Sequence, residues 1–520
     1  MLILAALFHP LLFALVPVVS LLSANIEVVA PEAALRPALL MVLVASGAFI
    51  LLQRLLRQVE AAAAAVSLGI LLLSQGLIRE GLGGMMYWDT KGLVARAISI
   101  LWMAAIGLAI YSILRSRTIQ RGMSGVLLLV AIAMLVPPVI RIAQHETQLR
   151  QPWQPALQEI PGLPPHDPAG SPPDFYYIIL DGYGREDVLA DLYGIDNSNF
   201  LSALRDRGFY VAGASRSNYG QTSLSVASSL NLAYLDAVSD RLGSDSPDQR
   251  PIARLIRFSQ LREILARHGY EFIALPTGYR RTEIDNADVY PRQHLSATTA
   301  FESQVLENLG LGPALVGLAR AGVLSALPGY TAHRQRLEFA MAEIGRLATL
   351  PGPKFVFAHI VLPHPPFAYD AEGEAVNPPH LFQLQDGNEF PGSADEYRAG
   401  YASQIEYTNQ RVLELVDEIL AGASRPPVIV LQADHGPGAG LNWLSPETTD
   451  LRERMSILNA YYAPAASGAL YEGITPVNSF RILLNEYLGY DLPLLPDRSE
   501  FSNWQRPYTF YEAPIEPADQ

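Results

Sequence analysis

Val428-Ile429-Val430-Leu431-Gln432-Ala433-Asp434-His435-Gly436 is a β-branched apolar run that stops at two adjacent metal-grade side chains and a glycine. Phe175-Tyr176-Tyr177-Ile178-Ile179-Leu180 ends in a similar way, at Asp181-Gly182. Short, continuous apolar runs read as strands buried on both faces, the form found in parallel sheets. Two such strands that each deliver a carboxylate at the C-terminal end are how an open α/β sheet builds a site along its rim. Asp-Gly and Asp-His-Gly also suit turns, and each Asp taken singly reads about equally as a turn starter. The residues between the two strands tip the reading toward a site.

From Asp174 onward, short apolar strands alternate with amphipathic helices. Strands are predicted at Phe175–Leu180, Phe209–Ala212, Phe272–Leu275, Phe355–Val361, Val428–Gln432 and Ala460–Ala463. Helices are predicted at Asp196–Asp206, Ile252–His268, Ala332–Leu347, Asp395–Leu420 and Pro476–Leu488. This alternation predicts an α/β domain, a largely parallel sheet between layers of helices, with its functional edge where the strands end.

The stretch Ser215-Arg216-Ser217-Asn218-Tyr219-Gly220-Gln221-Thr222-Ser223 is a polar loop that opens into a helix of small residues ending near Leu230. A helix N-terminus offers unpaired N–H groups and a positive dipole end to an anion, and a hydroxyl in its first turn lies beside that anion. Thr or Ser is also a common helix cap with no chemistry. Among the histidines, His359 falls inside a predicted strand and reads as a satisfied sheet residue. His364, in Leu362-Pro363-His364-Pro365-Pro366-Phe367, lies just past the strand end and is the better functional candidate. His9, His145, His166, His268, His294 and His333 have no motif around them, and His380 is retained as a lesser candidate.

Residues 1–143 read as a transmembrane domain of five helices, with apolar stretches at about Leu2–Leu22, Leu35–Leu56, Ala61–Ile78, Gly92–Leu114 and Met123–Ile142. A cleaved signal peptide is the alternative for the first stretch, but no basic segment precedes it and four further apolar stretches follow. Arg54 and Arg57 follow the second stretch, and Arg115, Arg117 and Arg121 follow the fourth. The positive-inside rule therefore places those loops and the N-terminus in the cytoplasm and everything after the fifth span outside. Arg96 is among the few charges within the spans and lies near an end, so no transport path is indicated. Residues 144–173 hold eight prolines and read as an extended linker to an extracytoplasmic domain over 174–520. After residue 143 there are 27 Lys+Arg against 46 Asp+Glu, an acidic balance that argues against nucleic acid as a partner. With no cysteine in the chain, disulfides, thiolate metal sites and a formylglycine made from cysteine are all excluded.

The ordered set Leu180-Asp181-Gly182, Asn218-Tyr219-x-x-Thr222-Ser223, Leu362-Pro363-His364-Pro365-Pro366-Phe367 and Ala433-Asp434-His435-Gly436 resembles the sulfatase-like branch of the alkaline phosphatase superfamily. Five spans ahead of an outward-facing domain look like the lipoteichoic acid synthase arrangement within it. The resemblance covers about residues 174–465. It implies one divalent metal ion, Mn with Mg or Zn as alternatives, held by Asp181, Thr222, Asp434 and His435. It implies that His364 contacts the substrate phosphate. The lipoteichoic acid synthases carry glutamate as first ligand, so Asp181 is a departure that the wider superfamily accommodates. Two-metal members have a further histidine downstream, and none follows His435 here. A single-metal site is therefore expected, with His364 conceivable as a ligand of a second.

The function expected is a membrane-anchored, metal-dependent phosphotransferase or phosphodiesterase acting through Thr222 on a lipid head group or envelope glycan. A metal lowers the cost of a threonine alkoxide as it does for bound water. Catalysis would be chiefly positioning and charge neutralisation, with His364 as proton donor. Ser223 is the rival nucleophile. Beyond the membrane and its substrate no protein partner is implied. One alternative is a sulfate-ester hydrolase, which lacks support from any Cys/Ser-x-Pro-x-Arg signature. Another is a non-catalytic membrane receptor or scaffold, which the intact Asp181, Thr222, Asp434 and His435 set argues against. Arg452 and Arg454 read either as an anion-binding pair or as a solvated helix face. The tail from Ile474 to Tyr511 reads as closing the core.

Overall fold

The computed structural model describes residues 2–514 apart from 28, 75–92, 151–171, 294–298, 313, 315–316, 319–320, 322, 324–328, 379 and 381. The chain divides into two compact units. The first comprises Met1–Gln148 with Ser296–Ala332 and Pro379–Phe382, and the second holds the remainder.

In the first unit, helices α1 (Leu2–Ala24), α2 (Leu35–Leu56), α3 (Val59–Leu73), α4 (Leu93–Arg115) and α5 (Arg117–Leu149) fall on the five apolar stretches. Among the described residues three spans, Leu4–Ala24, Pro31–Leu56 and Gly122–Leu149, are long and apolar enough to cross a membrane, while Val59–Leu73 and Ile100–Ile113 are shorter apolar helices. α5 continues to Leu149, past the start of the extended linker expected from residue 144, because the linker's prolines begin only at Pro152. Most of the expected linker, and the loop carrying Glu80, Asp89 and Lys91, lie outside the described residues.

The second unit is built on a six-stranded sheet. Its strands are β1 (Phe175–Leu180), β2 (Tyr210–Val211), β3 (Glu271–Ala274), β4 (Lys354–Ile360), β5 (Val428–Gln432) and β6 (Asn459–Tyr462), in the order β2-β6-β5-β1-β4-β3. β5, β1, β4 and β3 run parallel, and β6 is antiparallel to β5 and β2. Every residue of β1, β4 and β5 is buried, as expected where helices cover both faces. Lys354 is tolerated there because Asp174 pairs with it.

Helix α6 (Glu186–Tyr193) follows β1, α7 (Ser198–Asp206) precedes β2, and α8 (Thr222–Asn231) follows β2. After α9 (Asp236–Leu242), the predicted helix 252–268 is two, α10 (Arg250–Arg257) and α11 (Gln260–Arg267). Ser259 breaks the run by accepting the Arg262 N–H as a fresh cap. The longer helices are α13 (Tyr330–Ala348), α14 (Ala394–Gly422) and α16 (Pro476–Leu488), with the short α15 (Leu451–Met455) before β6, while the short α12 (Ala300–Asn308), ahead of α13 in the chain, belongs to the first unit. A hairpin of β7 (Glu500–Phe501) and β8 (Tyr511–Glu512) completes the unit. The small side chains of α8 let it lie in the main core, where Leu224, Val226, Ala227 and Leu230 meet Phe480 and Ile482 of α16. The C-terminal tail thus supplies core residues.

Candidate metal centre

Sheet register brings the two Asp-tipped strands together. β1 lies between β4 and β5, with Ile179 level with Gln432 on one side and His359 on the other. Asp181 and Asp434 therefore emerge at the same rim, from neighbouring strands that lie about 4.8 Å apart. Each carboxylate has one oxygen held and one without a hydrogen-bond partner. Asp181 Oδ2 accepts from His359 Nε2 at 3.1 Å, and Asp434 Oδ1 accepts from the Gly182 N–H at 3.2 Å. Asp181 Oδ1 and Asp434 Oδ2 are buried without a partner.

His435 faces both of these oxygens. Its Nδ1–H donates to the Gly436 carbonyl at 2.9 Å, which leaves the Nε2 lone pair directed at the cluster. Nε2 lies 3.5 Å from Asp181 Oδ1, 3.3 Å from Asp434 Oδ2 and 3.0 Å from Thr222 Oγ1. Burial, followed by the Arg454 cation, holds the His435 imidazole below its ordinary value and so neutral, the form a metal requires. Burial alone would raise the Asp181 carboxyl. The imidazoles of His364, His359 and His435 more than reverse that and hold it well below the carboxylate range.

These atoms fit a small divalent cation. Four tetrahedral ligands at about 2.0–2.2 Å from one ion stand about 3.3–3.6 Å apart, close to the separations around His435 Nε2. Buried carboxylate oxygens left without partners are costly unless a cation meets them. Asp181, Asp434 and His435 all offer ligand atoms within 4.8 Å of one another. Thr222 adds a neutral oxygen.

Thr222 opens α8, after an extended Gln221 at the cap position. The loop ahead of it is fixed from the C-terminal side. Gln221 Nε2 donates to Ser502 and Asn503, and Asn218 Oδ1 accepts the Val477 N–H at 2.7 Å. Glu500 on β7 pairs backbone to backbone with Asn218 and Gly220. Thr222 is half-buried, whereas Ser223, the rival nucleophile, is buried at 2 % exposure.

Burial pushes the Glu500 carboxyl up to about 7, with Arg498 opposing and Asp236 reinforcing the shift. The folded chain therefore keeps a proton that the unfolded chain releases near the ordinary value of 4.5. Stability from this group is fully present below about pH 4.5 and is lost as pH rises toward about 7. Glu500→Gln is expected to flatten that decline. Thermal unfolding of both proteins at pH 5 and pH 8 checks it, and an equal decline in each would reject it.

His364 lies just past β4, with Nδ1 donating to the Pro365 carbonyl at 2.5 Å and Nε2 3.7 Å from Asp386 Oδ2. Its ring centre is 6.2 Å from that of His435. Gln404 of α14 fixes this loop by donating to the carbonyls of Pro363 and His364, both at 3.1 Å. His359 is the satisfied sheet histidine expected, but its partner is the site carboxylate Asp181, and its other nitrogen meets Thr282 Oγ1 at 2.9 Å. His380 falls in the first unit, where its carbonyl accepts from Tyr330. His333, unmarked in the sequence, is buried in the second unit. Desolvation, together with Arg336, His364 and Arg334, pushes it down to about 3.

Asp386 and Arg454 are the residues that sequence reading missed or misplaced. Arg454 is 1 % exposed, so the solvated-face reading fails for it. Its guanidinium donates to Asp386 Oδ2 at 2.7 Å, Gly220 O at 2.8 Å and Gly436 O at 3.1 Å, and it covers the Trp443 ring. One side chain thus ties the loop before Thr222 to the loop after His435. Arg452 pairs instead with Asp187 and Asp191 at the surface. Burial would raise the Asp386 carboxyl, but Arg454 first and then His364 and His435 bring it below its ordinary value.

Gly436 explains why glycine follows Asp-His. A Cβ there would stand 2.1 Å from the Glu453 carbonyl and 2.8 Å from that of Ser456, both backbone atoms. Gly436→Ala is expected to displace His435 and weaken divalent-metal binding at least about tenfold, a cost of about 1.4 kcal/mol or more. Calorimetric titration with Mn²⁺ checks this, and wild-type affinity in the variant would refute the close-approach argument.

The Sulfatase family model matches residues 173–479. No curated protein matches the chain. Among solved structures, the C-terminal periplasmic domain of EcEptC from Escherichia coli in complex with Zn is 14% identical at a TM-score of 0.40, covering 68% of this chain and 96% of that one. Lipooligosaccharide phosphoethanolamine transferase A (EptA), an integral membrane protein from Neisseria meningitidis, is 14% identical at 0.39, covering 76% and 68%. Phosphonate monoester hydrolase of Agrobacterium radiobacter is 13% identical at 0.40, covering 63% and 80%.

Proposed function

The chain belongs to the sulfatase family, and from that premise we propose that it is a membrane-anchored, metal-dependent phosphotransferase or phosphodiesterase. Its substrate would be a lipid head group or envelope glycan outside the cytoplasm. The observation that carries this reading is the position of Thr222 Oγ1, 3.0 Å from His435 Nε2 beside two partnerless carboxylate oxygens. A divalent ion held by Asp181, Thr222, Asp434 and His435 would stabilise the Thr222 alkoxide and draw charge from the phosphoryl oxygens. Hard oxygen ligands with one imidazole suit Mn²⁺, with Mg²⁺ or Zn²⁺ as alternatives.

The protein's own groups supply the rest. Thr222 Oγ1 attacks phosphorus in line, the bond to one alcohol breaks and that alcohol leaves with a proton, and the phosphoryl group, still carrying its other ester, remains on Thr222 for water or an acceptor alcohol to resolve. His364 is the proton donor to the leaving oxygen through Nε2. Its Nδ1–H is fixed on the Pro365 carbonyl, and Asp386 stands beside Nε2 to stabilise the imidazolium. The N-terminus of α8 faces developing negative charge with its free N–H groups.

A location outside the cytoplasm is supported by the arginines alone: Arg54 and Arg57 follow the second apolar stretch and Arg115, Arg117 and Arg121 the fourth, which puts those loops and the N-terminus on the cytoplasmic side and the residues after the fifth stretch on the other.

Intact-mass analysis of the full-length protein with Mn²⁺ and phosphatidylethanolamine or phosphatidylglycerol tests the mechanism. The expected result is a phosphate-bearing adduct on Thr222 that is absent in Thr222→Ala. No adduct with any donor, together with activity that survives Thr222→Ala, would sink it. Turnover of a chromogenic sulfate ester in place of phosphodiesters would favour the sulfatase alternative.

A further inference from the structure

We propose that the part of the β3–β4 connection that begins with α12 and includes Leu311, Leu318 and Val323 is a membrane-surface insertion, with these exposed apolar residues in the outer leaflet of the bilayer. Its first part, α12, carries Phe301 and Val305, with Leu309 at the cap just past its end, each four residues on from the last and so on one helical stripe. That stripe packs with Val18, Leu21, Leu22 and Ile26 at the end of α1 and with Ala34 before α2. Glu302 does two jobs in this contact. It closes a capping box with Thr299, accepting the Thr299 N–H at 2.8 Å, and both its oxygens engage the Arg36 guanidinium. α12 is thus fixed at the outer ends of two membrane helices.

The chain that follows differs in character from the acidic domain around it. Residues 309–329 include five glycines, two prolines and one charged side chain, Arg320. Among the described residues, Leu311, Leu318 and Val323 are exposed, Val323 at 67%. Exposed apolar groups grouped in one short segment mark a partner surface. The chain enters this segment from α12, which packs on the ends of the apolar helices, and on α2 Leu35, adjacent to Arg36, and Leu39 and Leu43 are exposed as well. A bilayer is therefore the partner.

Crossing the bilayer is excluded. The segment leaves β3 and returns to β4, which are neighbouring parallel strands of one sheet, so both ends are on the same side. Twenty-one residues rich in glycine and proline cannot cross twice. An apolar segment that begins at the membrane surface and returns to the same side lies in the interface.

The absence of native cysteine makes the test direct. Full-length Val323→Cys and, separately, Leu318→Cys are labelled with an environment-sensitive fluorophore and reconstituted in phosphatidylcholine–phosphatidylglycerol vesicles. Asp395→Cys, at a position whose side chain is 98% exposed in the sheet domain, serves as the aqueous reference. The expected result is blue-shifted emission at 323 and 318, most of it lost to lipids bearing a nitroxide near the head group and little lost to aqueous iodide. The reference label should show the reverse. Iodide quenching at 323 and 318 equal to the reference, without nitroxide quenching, would overturn the proposal. So would emission that changes with protein density but not with nitroxide lipid, which would mark a protein–protein contact.

Discussion

Thr222→Ala is expected to lower turnover of a phosphodiester at least about 10³-fold, a loss of about 4 kcal/mol of transition-state stabilisation. Thr222→Ser, which keeps the oxygen, is expected to retain measurable activity. The effect is large because two contributions fall on one atom. Oγ1 is the proposed nucleophile, and it also completes the oxygen set facing His435 Nε2 at 3.0 Å. Folding is expected to be preserved, since Thr222 is half-buried at a helix start and the backbone of Gln221 already begins the helix by accepting the Ser225 N–H. Comparing kcat with bound-metal content separates the two roles. A variant that binds metal normally yet is inactive has lost its nucleophile, and an active Thr222→Ala enzyme would discard threonine catalysis altogether. Incubation with a chelator followed by Mn²⁺ should abolish and then restore activity in the wild type.

The second large effect is expected at the buried Arg454–Asp386 pair. Arg454→Met leaves the Asp386 carboxylate at 4 % exposure without its cation and frees the Gly220 and Gly436 carbonyls together. Breaking a buried pair by removing one partner typically costs about 3–5 kcal/mol. The thermal midpoint of the full-length protein should fall by several degrees, and activity should fall with it as the Thr222 and His435 loops separate. Asp386→Leu combined with Arg454→Met removes both charges and is expected to recover much of the stability but little of the activity. A double variant no more stable than Arg454→Met would show that the pair is not the source of the loss.

Different kinds of information fixed these residues. Asp181, Asp434 and His435 were legible because each follows a continuous apolar run, and strand ends are local features of the chain. Thr222 was legible as a hydroxyl where a polar loop turns into a helix. His359 was assigned to a sheet position correctly, but nothing in its neighbourhood reveals that its partner is Asp181, 178 residues away. Asp386 sits in Gln385-Asp386-Gly387, which reads as an ordinary turn, and it does form the cap of a short 3-10 turn. Its second role depends on Arg454, 68 residues later. Arg454 itself lies in an alternating charged run whose pattern is that of a solvated face.

By itself the sequence determined the elements: which runs are strands, where they stop, which segment is apolar over spanning lengths, and which side chains stand at the stops. These follow from hydrophobic periodicity and backbone preferences, whose range is a few residues. The tertiary structure decided the partners. Sheet order placed β1 between β4 and β5, and that placement brought His359 to Asp181 and set Asp434 beside them. It also turned Arg454 inward and joined α12 to the membrane helices through Glu302 and Arg36. Such pairings are set by the burial of surfaces and charges distant in the chain, and no local pattern encodes which distant group will arrive.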